Sequence, residues 1–388
     1  MLSKTATFIL IALGTVVGLA GIDLVLPAIP GLPDALGGDL KSAQYVLAAF
    51  AGGTGIGLLV YGELGARFKL GTLLVLSLTT YAVLSLLATL APSTHALSLT
   101  RFFQGLAAAG PAVFAPVMIK SMYDETGSII ALGRLGSIES ITPALAPVLG
   151  AWLLTLADWK LSFYVTAFVA IALSLAWVLS PATRRQFGYS QRSSTGGYSA
   201  LFKNLTFLRH AISQAFTLGA LLIIVFAAPV VITHALDGSL SDFIIMQVTG
   251  IAFFILAANT SHRVVQRLGA APTILLGTAC TALGCVALFI ASVVSKPAIE
   301  LIWLLFVFVN LGLGIRGPAG FFQALKASGD NDSRGSALII LFVMLTTALG
   351  TAAVAPFVEQ GFVQVAARAS AVAIIAVWLS ISRRQDRQ

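Results

Sequence analysis

The chain has 388 residues, of which 58% are hydrophobic and only 10% are charged. A soluble domain carries about 25% charged residues, so this composition excludes a protein whose whole surface faces water. The net charge of +8 does not indicate nucleic-acid binding, because the basic residues recur singly and in pairs between apolar runs and form no single patch. The composition therefore predicts a polytopic membrane protein.

Apolar stretches of about 20 residues, the length that crosses a bilayer as a helix, recur along the whole chain. The first is too long for the apolar part of a signal peptide and lacks a cleavage site of small residues, so it is interpreted as a membrane helix. We predict twelve transmembrane helices, which span residues 7–30, 42–62, 71–91, 97–119, 129–153, 161–180, 208–235, 241–261, 271–294, 299–325, 335–358 and 362–382.

A polar interval at 181–206 divides the chain into halves of six spans each, 1–180 and 207–388. The frame Gly-Leu-x-x-x-Gly-Pro-Ala occurs in span four, at 105–112, and again in span ten, at 312–319. A match between each span and the sixth span after it indicates an internal duplication, which is typical of two bundles around a central cavity. We predict an all-α membrane protein with twelve transmembrane helices in two pseudosymmetric six-helix bundles, joined by a cytoplasmic central loop.

Lys and Arg are distributed unevenly between the two sides of the predicted membrane. One side carries most of them: Lys4, Arg67, Lys69, Lys120, Arg134, Arg184, Arg185, Arg192, Lys203, Arg209, Arg263, Arg267, Lys326, Arg334, Arg383, Arg384 and Arg387. The other side carries Lys41, Lys160, Lys296 and Arg368. Because cytoplasmic loops collect basic residues, both termini and the central loop are expected in the cytoplasm. We also expect the chain to be a monomer in a bacterial inner membrane.

Asp23 lies near the end of the first apolar run. An ionisable group inside a membrane span is costly, so it is a functional candidate, and we interpret Asp23 as a proton site beside a cavity. Arg101 in span four lies at a similar depth, so an ion pair or a shared water network with Asp23 is geometrically possible. The alternative is a structural pair that only fixes the two helices.

Other polar residues within apolar spans are candidates for substrate contacts. Glu139 in span five and Arg316 in span ten lie at comparable depths in opposite halves, and both are predicted to face the cavity as substrate contacts or as a gate. Alternatively, Glu139 pairs with Arg134. Gln104 and Asn310 are candidates for the same cavity, although interhelical hydrogen bonding is the commoner role of such groups.

Five aromatic residues are predicted to form a wall for an apolar ligand, although aromatic residues in membrane helices also face lipid or pack internally. They are Tyr45, Phe50, Phe114, Phe216 and Phe226. His234 is a weaker second candidate for proton coupling.

Motifs for nucleotide hydrolysis or metal binding are not found in the sequence. There is no Walker loop, so ATP is not expected as the energy source. The four His and two Cys show no zinc-binding spacing. We therefore expect no enzymatic activity, no cofactor and no metal.

Several motifs resemble the Major Facilitator Superfamily, in particular its twelve-span drug:proton antiporter group. Asp-Leu-Val-Leu-Pro-Ala-Ile-Pro at 23–30 is similar to the first-helix signature of the bicyclomycin- and chloramphenicol-resistance branch. Residues 99–105 resemble the fourth-helix signature, whose arginine, here Arg101, is implicated in proton coupling. Gln104 and Asn310 fall on helices that line the cavity in this family.

Two further motifs concern gating. Gly62, Arg67 and Lys69 belong to a stretch that resembles the superfamily's loop between helices two and three. Pro147 and Gly150 follow the spacing of the fifth-helix motif of antiporters. The loop motif normally carries Asp where this chain has Ala66, and the resemblance implies that this Asp helps to latch a cytoplasmic gate. Either Glu63 replaces it or the latch is weaker here.

The resemblance implies a proton-coupled secondary transporter that exports small, partly apolar compounds by alternating access. Its expected partners are a small-molecule substrate, protons and the lipid bilayer. One alternative is a dedicated exporter of a metabolite such as a siderophore, sugar or amino acid, because Arg101 and Arg316 would suit an anionic or zwitterionic ligand. A membrane receptor or channel is a further alternative.

Overall fold

A computed structural model describes residues 2–180, 183, 187 and 196–381, with the side chains of Leu40, Lys41, His234, Leu240, Val358 and Glu359 left out. The predicted cytoplasmic cluster Arg184, Arg185, Arg192, Arg383, Arg384 and Arg387 therefore lies outside the described residues, as do the side chains of Lys41 and His234.

In the described part of the chain, all regular elements are helical, and twelve helices are long and apolar enough to cross a membrane. The predicted fold class is confirmed. We name them α1 (Lys4–Asp23), α2 (Leu40–Arg67), α3 (Leu70–Ala88), α4 (Thr94–Met122), α5 (Glu125–Leu156), α6 (Lys160–Val178), α7 (Leu205–Val230), α8 (Leu240–Leu268), α9 (Ala270–Val294), α10 (Ile299–Ala327), α11 (Asp332–Val354) and α12 (Phe362–Ser380).

Polar residues at the helix starts explain several of the boundaries. Asp39 precedes α2 and accepts a hydrogen bond from the backbone N–H of Ser42 at 2.7 Å, while the Ser42 hydroxyl accepts from the Asp39 N–H at 2.9 Å. This reciprocal pair satisfies backbone donors that have no partner within the helix. The bonds from Ser42 also lower the pKa of the Asp39 carboxyl. Ser239 and Asp242 form the same arrangement at the start of α8.

The first span differs from its prediction. A continuous helix was expected over 7–30, whereas α1 ends at Asp23 and is followed by a 3₁₀ segment, Leu26–Gly31, and a short helix, Leu32–Leu36. The reason lies in Pro27, which has no N–H to donate to the carbonyl four residues earlier, that of Asp23. The candidate proton site is therefore the last residue of an α-helix, whereas the predicted span continues for about two turns beyond it.

The helices belong to two compact units. The first takes in residues up to Tyr123, then Ile138–Tyr198 and Asp330–Leu338, and the second takes in Asp124–Ser137, Ser199–Gly329 and residues after Leu338. The start of α5, from the first half of the sequence, thus belongs to the second unit, and the start of α11, from the second half, belongs to the first unit.

Helix pairings repeat along the chain with an offset of six helices. In the first unit α2 packs on α4, α3 on α6 and α1 on α4, and in the second unit α8 packs on α10, α9 on α12 and α7 on α10. This correspondence agrees with the duplication that the sequence indicates.

Glycines bring α2 and α4 to backbone contact. A Cβ at Gly53 would collide with the carbonyl of Phe102, and a Cβ at Gly105 would collide with the carbonyl of Phe50. In membrane proteins close packing of small residues replaces the hydrophobic effect as the force that holds helices together. Gly314 of α10 meets α8 in the same way, since its Cβ would lie 2.6 Å from the carbonyl oxygen of Phe254.

The glycine contacts predict a position-specific effect on stability. Gly53→Ala should lower the midpoint of thermal unfolding, because overpacking at a closed interface costs about 1–3 kcal/mol. Gly52→Ala is the matched control, since no atom of the described residues lies within 4 Å of its Cβ position. It should leave stability unchanged or raise it slightly, because Ala favours a helix. Equal unfolding midpoints for the two variants in detergent would contradict this account of the α2–α4 contact.

Candidate functional site

Asp23 stands at the end of α1 with its side chain half-buried. Among the described residues, no charged or hydrogen-bonding group pairs with its carboxylate. The end of α1 is held against α5 through Gly150, where a Cβ would collide with the carbonyl of Leu24. The fifth-helix glycine thus brings α5 close to the candidate proton site.

Arg101 is fully buried in the first unit, and no described carboxylate pairs with it. Its guanidinium carbon lies 4.1 Å from the ring centroid of Phe50 and 5.7 Å from that of Phe163. Nη1 donates to Oε1 of Gln104 at 2.7 Å, and Nε2 of Gln104 donates to the hydroxyl of Ser85 at 2.6 Å. Nε and Nη2 find no acceptor among the described residues. Packing on aromatic faces is one way to keep a guanidinium away from water.

The structure does not pair Arg101 with Asp23, but one aromatic ring borders both regions. A Cβ at Gly21 would lie 3.3 Å from Cζ of Phe50, the ring that covers Arg101. Gly21 precedes Asp23 by two residues. Gly21 and the buried guanidinium therefore both border Phe50, whereas Asp23, two residues after Gly21, projects from a different side of α1.

Glu139 of α5 is half-buried, and the hydroxyl of Thr15 on α1 interacts with its carboxylate. Thr15 precedes Asp23 by two turns, so Glu139 lies about 12 Å from Asp23 along the helix direction at 1.5 Å per residue. The carboxylates of Asp23, at the end of α1, and of Glu139, beside Thr15, thus lie at different depths along α1. No described residue forms a salt bridge with either of them.

Arg316 is the second fully buried arginine, and it lies in the second unit. Its Nη1 donates to the Ser213 carbonyl at 2.6 Å and to the Thr217 hydroxyl at 2.5 Å, both on α7. Its Nε and Nη2, together with Oε1 of Gln214, are buried without a described hydrogen-bond partner. All three atoms border Gly320, whose Cβ would lie 2.6 Å from Nη2 and 2.7 Å from Oε1 of Gln214.

Both buried arginines leave the same edge of the guanidinium unpaired, the Nε and Nη2 edge. This edge is the one that binds a carboxylate or phosphate with two parallel hydrogen bonds. Asn310, in contrast, donates to the carbonyl of Phe306 within its own helix at 2.9 Å.

The five predicted aromatic residues do not form one wall within either unit. Phe50 covers Arg101, and the buried ring of Phe114 packs edge-on against Tyr61 at 5.6 Å. Tyr45 and Phe226 are 49% and 57% exposed. Phe216 lines a cavity of about 540 Å³ between α7, α11 and α12, which we call the α7–α11–α12 cavity.

Glu63 connects α2 to the start of α11. Nε of Arg334 donates to Oε2 of Glu63 at 2.7 Å and Nη2 donates to Oε1 at 3.0 Å, so the pair is bidentate. Arg67, one turn along α2, donates to the same carboxylate at 2.7 Å. Arg334 is 5% exposed. Of the predicted gating residues, Arg67 thus joins this network, whereas Lys69 is exposed.

The predicted gating residue Gly62 lies beside Tyr198, whose hydroxyl donates to the carbonyl of Leu59 at 2.7 Å. A Cβ at Gly62 would collide with this hydroxyl, so glycine gives Tyr198 room to reach α2. Burial raises the pKa of the Tyr198 phenol, and the Glu63 carboxylate nearby raises it further. The phenol therefore remains a hydrogen-bond donor. Pro147, the remaining predicted gating residue, is half-buried in α5.

Sequence reasoning missed three features of these sites. It did not find Arg334 as the partner of Glu63 or Arg368 as a residue of the α7–α11–α12 cavity. It also did not find Ser85, which accepts the hydrogen bond from Gln104, the partner of Arg101. Arg368 carried a signal, because it is a charged residue six positions inside an apolar span. Nothing in the sequence pointed to the other two, whose roles depend on long-range packing.

Comparison with known proteins identifies the family. The model of the Major Facilitator Superfamily matches residues 11–353. A chloramphenicol resistance protein of Pseudomonas aeruginosa is 26% identical over 296 residues, which cover 75% of this chain and 70% of the relative. A bicyclomycin resistance protein homolog of Haemophilus influenzae is 23% identical over 254 residues, 64% of each chain. The multidrug resistance protein MdtL of Klebsiella pneumoniae is 25% identical over 213 residues, 54% of each chain.

Solved structures agree on the fold. The fucose:proton symporter FucP of E. coli matches with a TM-score of 0.75 at 14% identity, covering 98% of each chain. The human organic anion transporter MFSD10 matches with a TM-score of 0.74 at 12% identity, covering 98% of this chain and all of the other. Because the family model spans most of the sequence, this multi-pass membrane protein belongs to the Major Facilitator Superfamily of transporters.

Proposed function

We propose that this transporter exports small, partly apolar compounds in exchange for protons. The observation that carries the proposal is the carboxylate of Asp23, half-buried at the end of an apolar span with no described counter-ion. The relatives support the substrate class, since several are named for resistance to chloramphenicol, to bicyclomycin or to multiple drugs. We expect the protein to be a monomer in a bacterial inner membrane, with both termini in the cytoplasm.

A carboxylate at this position can serve as a proton carrier. Its charge is tolerated while water or a cation solvates it, and its neutral form is tolerated when the surroundings are apolar. A conformational change that alters its hydration would therefore bind or release a proton. Arg101 has no carboxylate partner among the described residues, and the ring that covers it, Phe50, also borders Gly21 of α1, so we propose Arg101 as a positioning group for this change.

Coupling to export follows from reciprocal linkage. If substrate lowers the proton affinity of Asp23, proton binding must lower the substrate affinity by the same factor. A cycle in which Asp23 takes up a proton from the outside and loses it to the cytoplasm as substrate binds would then drive export by alternating access. Glu139, about 12 Å from Asp23 along the helix direction, is a candidate substrate contact, as are Gln104 and Asn310.

We also propose that Glu63 replaces the aspartate that the family's loop motif normally carries at the position of Ala66. Glu63 holds the start of α11 through a bidentate bond to Arg334, and Arg67 binds the same carboxylate. Since Arg334 is buried, breaking this pair leaves a guanidinium without its anion, which is costly. The pair is therefore suited to a latch that favours one conformation of the carrier.

A dedicated exporter of an anionic metabolite is the second candidate function. The unpaired Nε and Nη2 edges of Arg101 and Arg316 favour it, because both are ready to bind a carboxylate or phosphate. Competition assays separate the two candidates. Inhibition of chloramphenicol efflux by aromatic carboxylates, with no inhibition by lipophilic cations of equal size, would support the anion exporter.

Asp23→Asn should abolish proton-driven transport. The amide is isosteric but does not take up a proton at neutral pH, so uptake of chloramphenicol driven by an imposed pH gradient in proteoliposomes should fall at least tenfold. Exchange of substrate without a gradient should persist. The measurement is the ratio of the chloramphenicol transport rate with the pH gradient to the rate without it, in the wild type and in Asp23→Asn.

The matched control is Asp34→Asn, which makes the same chemical change at an exposed carboxylate in the following short helix. It should transport at the wild-type rate. A gradient-driven rate in Asp23→Asn equal to that of Asp34→Asn would remove Asp23 from the proposed mechanism.

The latch can be measured with a double-mutant cycle on Glu63→Gln and Arg334→Gln. Because the bond is bidentate and Arg334 is buried, the two changes should show a coupling energy of about 1–3 kcal/mol in thermal unfolding. The single changes should also alter the transport rate.

A cycle on Glu125 and Lys326 provides the comparison. Their side chains are 45% and 56% exposed, and such a pair couples by less than about 1 kcal/mol. Coupling between Glu63 and Arg334 no larger than this comparison would exclude the latch.

A further inference from the structure

The α7–α11–α12 cavity lies wholly within the second unit. Its wall is mainly apolar, with Ile212 and Phe216 on α7 and Phe342 and Leu349 on α11. Arg368 of α12 is the single charged residue among the described residues that line it. A cavity of about 540 Å³ is large enough for a ligand rather than for a few water molecules.

The guanidinium of Arg368 is held at one end of this cavity. Nη1 donates to the carbonyl of Gln364 at 3.0 Å and to Oε1 of the same residue at 2.6 Å, and the guanidinium carbon lies 4.9 Å from the ring centroid of Phe357. Both neighbours lie toward the start of α12, so the positive charge is directed to the end of the cavity where α11 finishes and α12 begins.

No described residue accepts a hydrogen bond from Nε or Nη2 of Arg368, and no described carboxylate pairs with it. An arginine inside a membrane span is rare and functional by default. The free edge of its guanidinium is suited to a two-point contact with a phosphate or carboxylate.

The length of the α7–α11–α12 cavity indicates what kind of ligand it can hold. Its lining extends from Ile212 to Ile223 on α7 and from Phe342 to Ala353 on α11. Eleven residues of helix rise by about 16 Å. The hydrocarbon core of a bilayer is about 30 Å thick, so the cavity matches one leaflet.

We propose that the α7–α11–α12 cavity binds one acyl chain of an anionic membrane lipid, whose phosphate is held by Arg368. The acyl chain buries apolar surface against α7 and α11, which accounts for the long apolar wall. The phosphate supplies the anion that Arg368 lacks among its described neighbours. In this arrangement Phe216 contacts lipid, and the site is independent of the proposed proton-coupled export.

Native mass spectrometry of the full chain in detergent tests the proposal with dioleoyl phosphatidylglycerol and dioleoyl phosphatidylcholine, which differ in head group only. The wild type should bind the anionic lipid at least fivefold more tightly. Arg368→Gln should reduce this preference to less than twofold, and Arg368→Lys should retain part of it. Arg263→Gln, which removes an exposed arginine of α8, should keep the wild-type preference.

Ala371→Phe provides a second variant that keeps the charge. Ala371 lines the cavity and is exposed, so a larger side chain there projects into the cavity and should weaken binding of both lipids at least fivefold. Equal binding of the two lipids by the wild type would overturn the proposal, as would unchanged binding of phosphatidylglycerol in both Arg368→Gln and Ala371→Phe. Displacement of the lipid by inorganic phosphate at equal concentration would also overturn it, because the acyl chain would then contribute nothing.

Discussion

The structure depends on one constraint, that hydrocarbon offers no hydrogen bonds to polar groups. Each polar side chain inside a span must therefore find a partner within the protein, reach water in a cavity, or remain unpaired at a cost. Arg101 and Arg316 meet this constraint in part, since each uses Nη1 and leaves Nε and Nη2 unpaired among the described residues. Asp23 meets it least, which is why it is the strongest candidate for a group that changes its protonation.

The same constraint explains why Arg334 differs from the two fully buried arginines, Arg101 and Arg316. Arg334 has a bidentate carboxylate partner in Glu63 and a further acceptor in Asn331 at 2.8 Å. Arg101 has an aromatic ring and an amide instead. A fully paired arginine holds two helices in place, whereas a partly paired one is available to an anion that arrives later. The two types of arginine therefore suit a latch and a ligand site respectively.

Composition and the lengths of the apolar runs were sufficient to predict the twelve helices, because the length of a membrane span is fixed by the bilayer. The end of α1 was predicted wrongly for a local reason, since an apolar run continues past Asp23 while Pro27 removes the donor that would extend the helix. The duplication was visible in the Gly-Leu-x-x-x-Gly-Pro-Ala frame because its glycines permit close helix packing. Partners such as Arg334 and Ser85 were not visible, since they lie 271 and 19 positions away from the groups they contact. No periodic pattern records such pairs.

The glycines of α2 have a mechanical consequence. Gly53 and Gly57 fit against the backbone of α4. Gly52 and Gly55 are three residues apart and so lie on one side of the helix, and in the described part of the chain no atom lies within 4 Å of their Cβ positions. At these two positions α2 presents main chain without a Cβ, next to the exposed side chains of Ile56 and Leu59. Glycine inside a helix costs about 0.5–1 kcal/mol relative to alanine, so this stretch of α2 is easier to bend than a stretch of alanine or leucine would be.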